Sequence, residues 1–358
     1  QKHELQVQGQ HVIDHVSQNV ESLLVRQPRD HPDEWNIRIL GQPGLFLQRL
    51  LVLHALVQGV GIIVGSQMGI DLGTEVLGVR RGYEGLVEGD IAPIDAHELR
   101  ENMNQGGTIL GSARFELFKD EEAQLQAVRN LRDADIEGLL VIGGDGSQRG
   151  SFAIHRHGFP VMGIASTVDN DLYGTDISIG VDTALNTIIE SLDRIGTTAE
   201  SHHRAFLVEV MGRNYGYLAL MSGIASGAEV IVTPEFEMEP PEVVRELQIA
   251  HERGNRYAIA VVTDGAKNNV RKIEEYIREH PDDFDFELRV TILGHVQRGG
   301  SPTVFDRYLA TRLGSSAVQA LRGGQRGVLT GWKCYEVEYI PLEEVVAGHK
   351  ELSMSLWR

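Results

Sequence analysis

Two apolar, strand-like segments end in residues that could handle a phosphoryl group. The first segment, 139–142, runs into Gly-Gly-Asp-Gly-Ser at 143–147, and the pattern after it is helical. Glycines at a helix start let backbone N–H groups approach a phosphate closely, and an aspartate beside them can hold Mg²⁺. We interpret 143–150 as a phosphate loop with Asp145 as its metal ligand, although an ordinary glycine turn with an aspartate cap fits the same residues.

The second segment, 161–165, leads into a pair of carboxylates, Asp169 and Asp171. Ligands of open α/β sheets bind at the carboxyl ends of strands, where both would lie. A hydroxyl that accepts a phosphoryl group needs a carboxylate to take its proton, and a second acid can orient the first. The pair therefore indicates a catalytic base, with a solvated Asx turn as the structural alternative.

Four arginines at strand ends are candidates for clamping a sugar phosphate, since a planar guanidinium binds two phosphate oxygens together. Any one of them alone would be interpreted as a surface charge. In a chain of net charge -18, however, their recurrence at strand ends favours a focused anion site. They are Arg204, Arg213, Arg289 and Arg298, and His295 lies close to the last of them.

The elements that must carry these residues alternate between short apolar runs and helical stretches. This alternation is typical of an α/β fold with mainly parallel sheets, and 358 residues suffice for two Rossmann-like lobes. Helices are predicted at 180–195 and from Pro240 to about His251. Strands are predicted at 75–79, 138–142, 161–165, 206–210, 230–233, 258–263 and 289–293.

Composition excludes several classes of partner and site. The acidic charge argues against a general nucleic-acid or anionic-membrane surface, so neither partner is predicted. The apolar segment 40–64 is interrupted by polar residues, which argues against a membrane span. A single cysteine, Cys334, cannot form a disulfide within one chain, which fits a cytoplasmic protein.

Residues 1–69 differ in composition from the rest of the chain. Ten of the eighteen glutamines lie in residues 1–68, while the remaining 290 residues share eight. We interpret 1–69 as an atypical segment of foreign origin.

Taken together, the motifs resemble the bacterial 6-phosphofructokinase family from about Ile70 to Gly327. The resemblance implies the phosphofructokinase fold and a glycolytic kinase that transfers the ATP γ-phosphoryl group to the 1-hydroxyl of fructose 6-phosphate with Mg²⁺. It also implies a nucleotide-binding lobe (70–180 plus 297–347) and a fructose-6-phosphate lobe (181–296 plus 348–358). The motifs in the family's order and spacing are 106–115, 143–147, 167–171, 211–213 and 294–300.

The resemblance assigns roles to individual residues. Asp169 would be the catalytic base with Thr167, Asp171 and Gly146 in support, and Arg213 would stabilise charge on the transferred group. Arg204 and Arg289 would reach across from a neighbouring subunit, which implies a homotetramer, or dimer of dimers. The nucleotide-binding positions are Tyr83, Arg114, Phe115, Asp145, Gly146, Ser147 and Gly150. The substrate-binding positions are Thr167, Asp169, Asp171, Arg204, Met211, Gly212, Arg213, Asp264, Arg289, His295 and Arg298.

Other positions concern the phosphoryl donor and the effectors. Gly146 leaves room for the α-phosphate and Ser166 stands where pyrophosphate-using relatives carry lysine, so ATP is favoured over pyrophosphate. Gly196 and Asn255 replace basic effector-site residues, which puts ADP and phosphoenolpyruvate control in doubt although Glu229 is present. Asp264 and Lys119 depart from the family's residues but keep their charge.

The largest departure is at the start of the family pattern. The family begins with a strand and a loop of the form Gly-Gly-Asp-x-Pro-Gly-x-Asn, and segments 41–44 and 59–61 are poor substitutes for it. Loss of that strand and half of the phosphate cradle would leave a catalytically impaired, sugar-phosphate-binding subunit as the alternative function. NAD and lipid kinases share the Gly-Gly-Asp-Gly loop, but membership in either family would not account for residues 295–300 or for the four arginines.

Overall fold

Two β-sheets organise the part of the chain that the structure describes. The structure is a computed structural model, and it describes residues 49–54, 66, 69–70, 72–102, 104–281 and 287–353. The strands in these ranges are β1 (Arg49–His54), β2 (Glu75–Val79), β3 (Ile91–Pro93), β4 (Gly138–Gly143), β5 (Val161–Ala165), β6 (Arg204–Val210), β7 (Val230–Val232), β8 (Ala258–Thr263), β9 (Glu287–Ile292), β10 (Val328–Lys333) and β11 (Glu336–Pro341).

Helices lie between most of the strands. They are α1 (Tyr83–Glu88), α2 (Ala96–Glu101), α3 (Glu121–Asp133), α4 (Asp145–Arg156), α5 (Val181–His202), α6 (Tyr217–Ser226), α7 (Pro240–Glu252), α8 (Val270–Glu279), α9 (Val304–Arg322) and α10 (Leu342–Ala347). Short 3-10 helices span Glu116–Lys119 and Gly294–Arg298. The predicted helix at 180–195 extends to His202 and ends where His203 takes a left-handed conformation with φ of 51°.

The first sheet has the order β11-β10-β5-β4-β1-β2-β3, with antiparallel pairs only at its two ends. The second sheet has the order β7-β8-β6-β9 and is parallel throughout. Every residue of β4, β5 and β8 is buried, as expected for parallel strands covered on both faces. This confirms the α/β fold with mainly parallel sheets; the assignment of the two lobes to nucleotide and sugar phosphate stays a prediction.

One expectation about the N-terminal segment is wrong. The central strand that the sequence predicts to be lost is present as β1, which pairs in parallel with both β2 and β4. Leu50 and Val52 are fully buried in it, because an apolar run can fill a central position whatever its family likeness. Segments 41–44 and 59–61 lie outside the described residues, as does most of 40–64, and no described helix is long and apolar enough to cross a membrane.

The starts of α5 and α9 hold each other where the chain passes between the sheets. Asp306, fully buried, accepts hydrogen bonds from the Gly180 N–H (2.8 Å), the Thr183 N–H (2.8 Å) and the Thr183 hydroxyl (2.6 Å). Thr303 accepts from the Asp306 N–H at 3.2 Å and donates to Asp182 at 2.6 Å. The start of α5 is thus capped by a side chain of α9, while α9 is capped by its own Thr303.

Candidate active site

The predicted phosphate loop joins β4 to α4. Gly144 precedes the helix, and Asp145 is its first residue. Gln148, fully buried, donates to the carbonyls of Gly143 (3.0 Å) and Ile164 (3.3 Å). One side chain therefore ties together the ends of the two strands from which both candidate loops emerge.

The surroundings of the loop leave open space on one side and close packing on the other. A Cβ added to Gly146 would meet no atom within 4 Å, whereas one added to Gly150 would lie 2.4 Å from the Tyr83 ring. Tyr83 stacks on Phe118 and its hydroxyl donates to the Ser147 carbonyl at 2.6 Å. Burial raises the pKa of Tyr83, so it stays a neutral donor that supports the loop backbone.

Asp145 fits the role of a magnesium ligand. Its carboxylate is half exposed and pairs with Arg149, four residues along α4, at 2.8 Å. Such exposed helical pairs are worth about 0.3–0.5 kcal/mol, so a divalent cation can displace the arginine. Mg²⁺ in nucleotide sites commonly uses one or two carboxylates plus phosphate oxygens, and the described residues contain no larger cluster of potential ligands.

Asp169 lies almost completely buried, with 5% of its surface exposed, in the turn after β5. Its Oδ2 is 3.5 Å from Arg213 Nε, and its Oδ1 is buried with no hydrogen-bond partner among the described residues. Burial raises the pKa of Asp169 to about 6, and the charge of Asp171 adds to this while Arg213 and Arg298 oppose it. A carboxylate with such a pKa is suited to take a proton near neutral pH.

The turn that carries Asp169 is held by its neighbours. Asn170 has a left-handed conformation with φ of 55°, donates to the Asp176 carbonyl at 3.1 Å and accepts from the Ser178 N–H at 3.1 Å. The Asp169 N–H donates to the Thr167 hydroxyl at 3.3 Å. Burial also raises the pKa of Asp171, with the charge of Asp145 adding to the effect. The three aspartates therefore share one electrostatic environment.

The second sheet presents Arg213 to this turn. Arg213 has φ of 52°, and its N–H donates to Asp264 at 2.8 Å. A Cβ on Gly265 would lie 1.6 Å from the Arg213 carbonyl, so only glycine fits beneath it. The backbone of Arg213 is therefore held in place, while its side chain is 59% exposed to solvent.

Gln297 attaches the 3-10 helix Gly294–Arg298 to the end of β6. Fully buried, it accepts from the Met211 N–H at 3.1 Å and donates to the Gly294 carbonyl at 2.9 Å. Arg298 follows it, with Nε buried and without a partner in the described part of the chain, and its charge acts on Asp169. His295 is exposed on the same short helix.

The structure gathers most, but not all, of the predicted site residues. Arg204 is the first residue of β6, one strand length or ~20 Å from the loops at the other edge, whereas Arg289 is the third residue of β9, about 10 Å from that edge. Glu287 pairs with both, at 2.6 Å from Arg204 Nε. Arg114 and Phe115 precede the 3-10 helix Glu116–Lys119, and Phe115 packs against the hydrophobic cluster that contains Phe118 and is bordered by Tyr83.

Sequence reasoning missed Gln148, Asn170 and Gln297 as supports of the site. All three lie inside or beside the quoted motifs, so their position was a signal. Their burial and their contacts with carbonyl and amide groups, however, depend on neighbours that the motif alone does not reveal.

The chain is similar in sequence to known proteins. The family model described as Phosphofructokinase matches residues 62–321, starting slightly before the predicted residue 70. The chain is 47% identical over 289 residues to ATP-dependent 6-phosphofructokinase 1 of Thermus thermophilus, covering 80% of this chain and 89% of that protein. It is 45% identical over 286 residues to ATP-dependent 6-phosphofructokinase of Halalkalibacterium halodurans, covering 80% and 88%.

Solved structures show the same fold. Phosphofructokinase from Saccharomyces cerevisiae is similar with a TM-score of 0.77 and 33% identity, over 84% of this chain and 45% of the yeast chain. Pyrophosphate-dependent phosphofructokinase from Marinobacter aquaeolei has a TM-score of 0.76 at 19% identity over 86% of both chains, which bears on the fold alone.

Proposed function

Because the chain belongs to the phosphofructokinase family, we propose that Asp169 and Arg213 carry out that family's reaction at the strand ends described above. The chain is an ATP-dependent 6-phosphofructokinase, a glycolytic phosphotransferase that forms fructose 1,6-bisphosphate and ADP with Mg²⁺ as cofactor. The observation that supports our assignment most strongly is the buried Asp169 carboxylate, 3.5 Å from the exposed guanidinium of Arg213.

In the proposed mechanism, Asp169 takes the proton of the sugar 1-hydroxyl as that oxygen attacks the γ-phosphorus of ATP. Thr167 fixes the turn through the Asp169 N–H, and the negative charge of Asp171 keeps Asp169 basic. Arg213 leaves Asp169 for the transferred group, where its charge offsets the charge that develops in the transition state. Catalysis then rests on positioning and electrostatics.

The nucleotide is proposed to lie along the loop at the start of α4. Asp145 would hold Mg²⁺, which neutralises phosphate charge when bound. The open space over Gly146 leaves room for the α-phosphate, which ATP carries in addition to the two phosphates of a pyrophosphate group, so ATP is the favoured donor. The remaining proposed nucleotide contacts are Tyr83, Arg114, Phe115, Ser147 and Gly150.

We assign residues 70–180 plus 297–347, which form the first sheet together with β1, to the nucleotide, and residues 181–296 plus 348–358, which carry the second sheet, to fructose 6-phosphate. Met211, Gly212, Asp264, His295 and Arg298 are the proposed sugar-phosphate contacts within one chain. A cytoplasmic location completes the proposal, in keeping with a single cysteine.

A coupled assay for fructose 1,6-bisphosphate, with Mg²⁺ and either ATP or pyrophosphate as donor, tests this function. We expect turnover with ATP and less than a hundredth of that rate with pyrophosphate. A folded protein that binds fructose 6-phosphate at equilibrium but turns over neither donor would instead support the sugar-phosphate-binding subunit.

We propose a homotetramer in which Arg204 and Arg289 complete the site of a neighbouring subunit. The place of Arg204 at the sheet edge opposite Asp169 supports this, because its side chain cannot span a strand length to the site of its own chain. Glu287 pairs with both guanidinium groups and thereby holds them together for the proposed contact with the neighbouring subunit.

Mixing two inactive variants tests the shared site. We expect Asp169→Asn and Arg289→Ala to be inactive alone and to regain part of the wild-type kcat when unfolded and refolded together. In a mixed assembly, some sites draw Asp169 and Arg289 from unaltered chains. Refolding each variant with itself is the control, and a mixture that stays inactive although hybrids form would exclude sharing.

A further inference from the structure

The segment after α10, residues 348–353, runs against the second sheet's lobe at a fixed position. Leu352 is buried against Tyr215 and Leu220, and the Tyr215 hydroxyl donates to the Glu351 carbonyl at 3.4 Å. A Cβ on Gly348 would lie 2.4 Å from the Tyr173 ring, so the chain passes there in close contact. The contacts of Gly348 and Leu352 therefore fix the chain on both sides of Lys350.

Lys350 reaches the turn that carries the catalytic base. Its Nζ donates to the Asp176 carbonyl at 3.0 Å and lies 5.7 Å from the centre of the Tyr215 ring. The same carbonyl accepts from Asn170, the residue between Asp169 and Asp171, at 3.1 Å. Since both donors bind one oxygen, the ammonium lies within ~6 Å of the Asn170 amide nitrogen.

The groups around Lys350 are mostly acidic or aromatic. Asp171, Asp176 and Tyr215 face it from other elements, and His349 and Glu351 flank it on its own segment. Burial lowers the pKa of Lys350 to about 8, while Asp176 and Asp171 act in the opposite direction. In return, its charge lowers the pKa of Asp171.

We propose that Lys350 is a positioning residue for phosphoryl transfer, whose ammonium compensates the charge of Asp171 and holds the turn of Asp169 through the shared Asp176 carbonyl. This inference rests on the proposed function. It assigns to the C-terminal segment a part in the reaction although its lysine touches neither the base nor, as proposed, the substrates.

The need for such a cation follows from the charges at the site. Asp145, Asp169 and Asp171 lie where an anionic nucleotide and an anionic sugar phosphate must meet. Of the two cations whose charge acts on Asp171, Arg213 is proposed to turn to the transferred group, which leaves Lys350. Its loss would place an uncompensated carboxylate beside a reacting phosphate, where low dielectric strengthens repulsion.

The test compares Lys350→Met and Lys350→Arg with the wild type between pH 6 and 9.5. Methionine keeps the apolar stem without the charge, and arginine keeps the charge to higher pH. We expect kcat to fall in the wild type above about pH 8, to be about tenfold lower at pH 7 in Lys350→Met without that alkaline fall, and to stay high past pH 9 in Lys350→Arg.

Two controls separate charge from anchoring. Leu352→Ala removes a packing contact of the same segment, and we expect it to retain the wild-type alkaline fall. Equilibrium binding of fructose 6-phosphate should change less than twofold in Lys350→Met. An unchanged kcat in Lys350→Met, or an alkaline fall unmoved in Lys350→Arg, would overturn the proposal. A wild-type protein that shows no turnover would instead overturn the proposed function itself.

Discussion

Replacing Asp169 with asparagine is expected to lower kcat about 10³-fold, within the range ascribed to a lost general base. Asparagine has the same shape but cannot accept the proton of the 1-hydroxyl. For the same reason, wild-type kcat/KM should fall as the pH drops through about 6, where Asp169 becomes protonated. The coupled assay at several pH values measures both effects.

The same substitution is expected to stabilise the fold at neutral pH. The pKa of Asp169 is raised in the folded state, so stability associated with its protonated form is present below about pH 4 and lost as the pH rises through 6. Burying the charged carboxylate lowers the free energy of unfolding by about 2–3 kcal/mol at most, and an uncharged amide avoids this loss. Thermal unfolding at pH 5 and pH 8 should therefore show a gain for Asp169→Asn that is larger at pH 8.

Asp193→Asn, on the exposed side of α5, serves as the matched control and should change neither kcat nor stability. A variant Asp169→Asn that keeps a tenth or more of wild-type kcat would remove this residue from the role of base. One that loses stability at pH 8 would contradict the desolvation argument.

Much of the fold was predictable because buried parallel strands appear in the sequence as unbroken apolar runs. The strands at 75–79, 161–165 and 258–263 were predicted with the bounds that the structure shows. The hairpin of β10 and β11 was missed, since Cys334 and Tyr335 form its turn with φ of 49° and 66° where Asn-Gly would be the usual signal. β1 was missed because its segment has no family likeness.

The candidate site was predictable where its residues are close in sequence. The loops at 143–150 and 167–171 follow adjacent strands, so their meeting could be expected from strand order alone. The contacts of Gln297 with Met211 and of Lys350 with Asp176 join residues 86 and 174 positions apart. No local pattern encodes such pairs, and a lysine near the C-terminus gave no signal at all.

The second large effect is expected from Asp306→Ala, at the joint between α5 and α9. Removing the carboxylate leaves the Gly180 N–H, the Thr183 N–H and the Thr183 hydroxyl without their acceptor in a fully buried place. Each buried donor left unsatisfied costs about 1–3 kcal/mol. We expect the free energy of unfolding to fall by about 3 kcal/mol or more, measured by urea denaturation.

Asp306→Asn removes the negative charge but keeps one hydrogen-bond acceptor, so it separates the two contributions of this side chain. Its one carbonyl oxygen can accept from some of the donors at the start of α5, but its amide group then faces the others, so we expect about half of the loss seen in Asp306→Ala. Asp193→Ala on α5 is the control for removing an aspartate as such. A wild-type urea midpoint in Asp306→Ala would show that the start of α5 does not depend on this carboxylate. Because β5 leads through Gly180 into α5, such a loss should also lower kcat before the protein unfolds, by loosening the turn that carries Asp169.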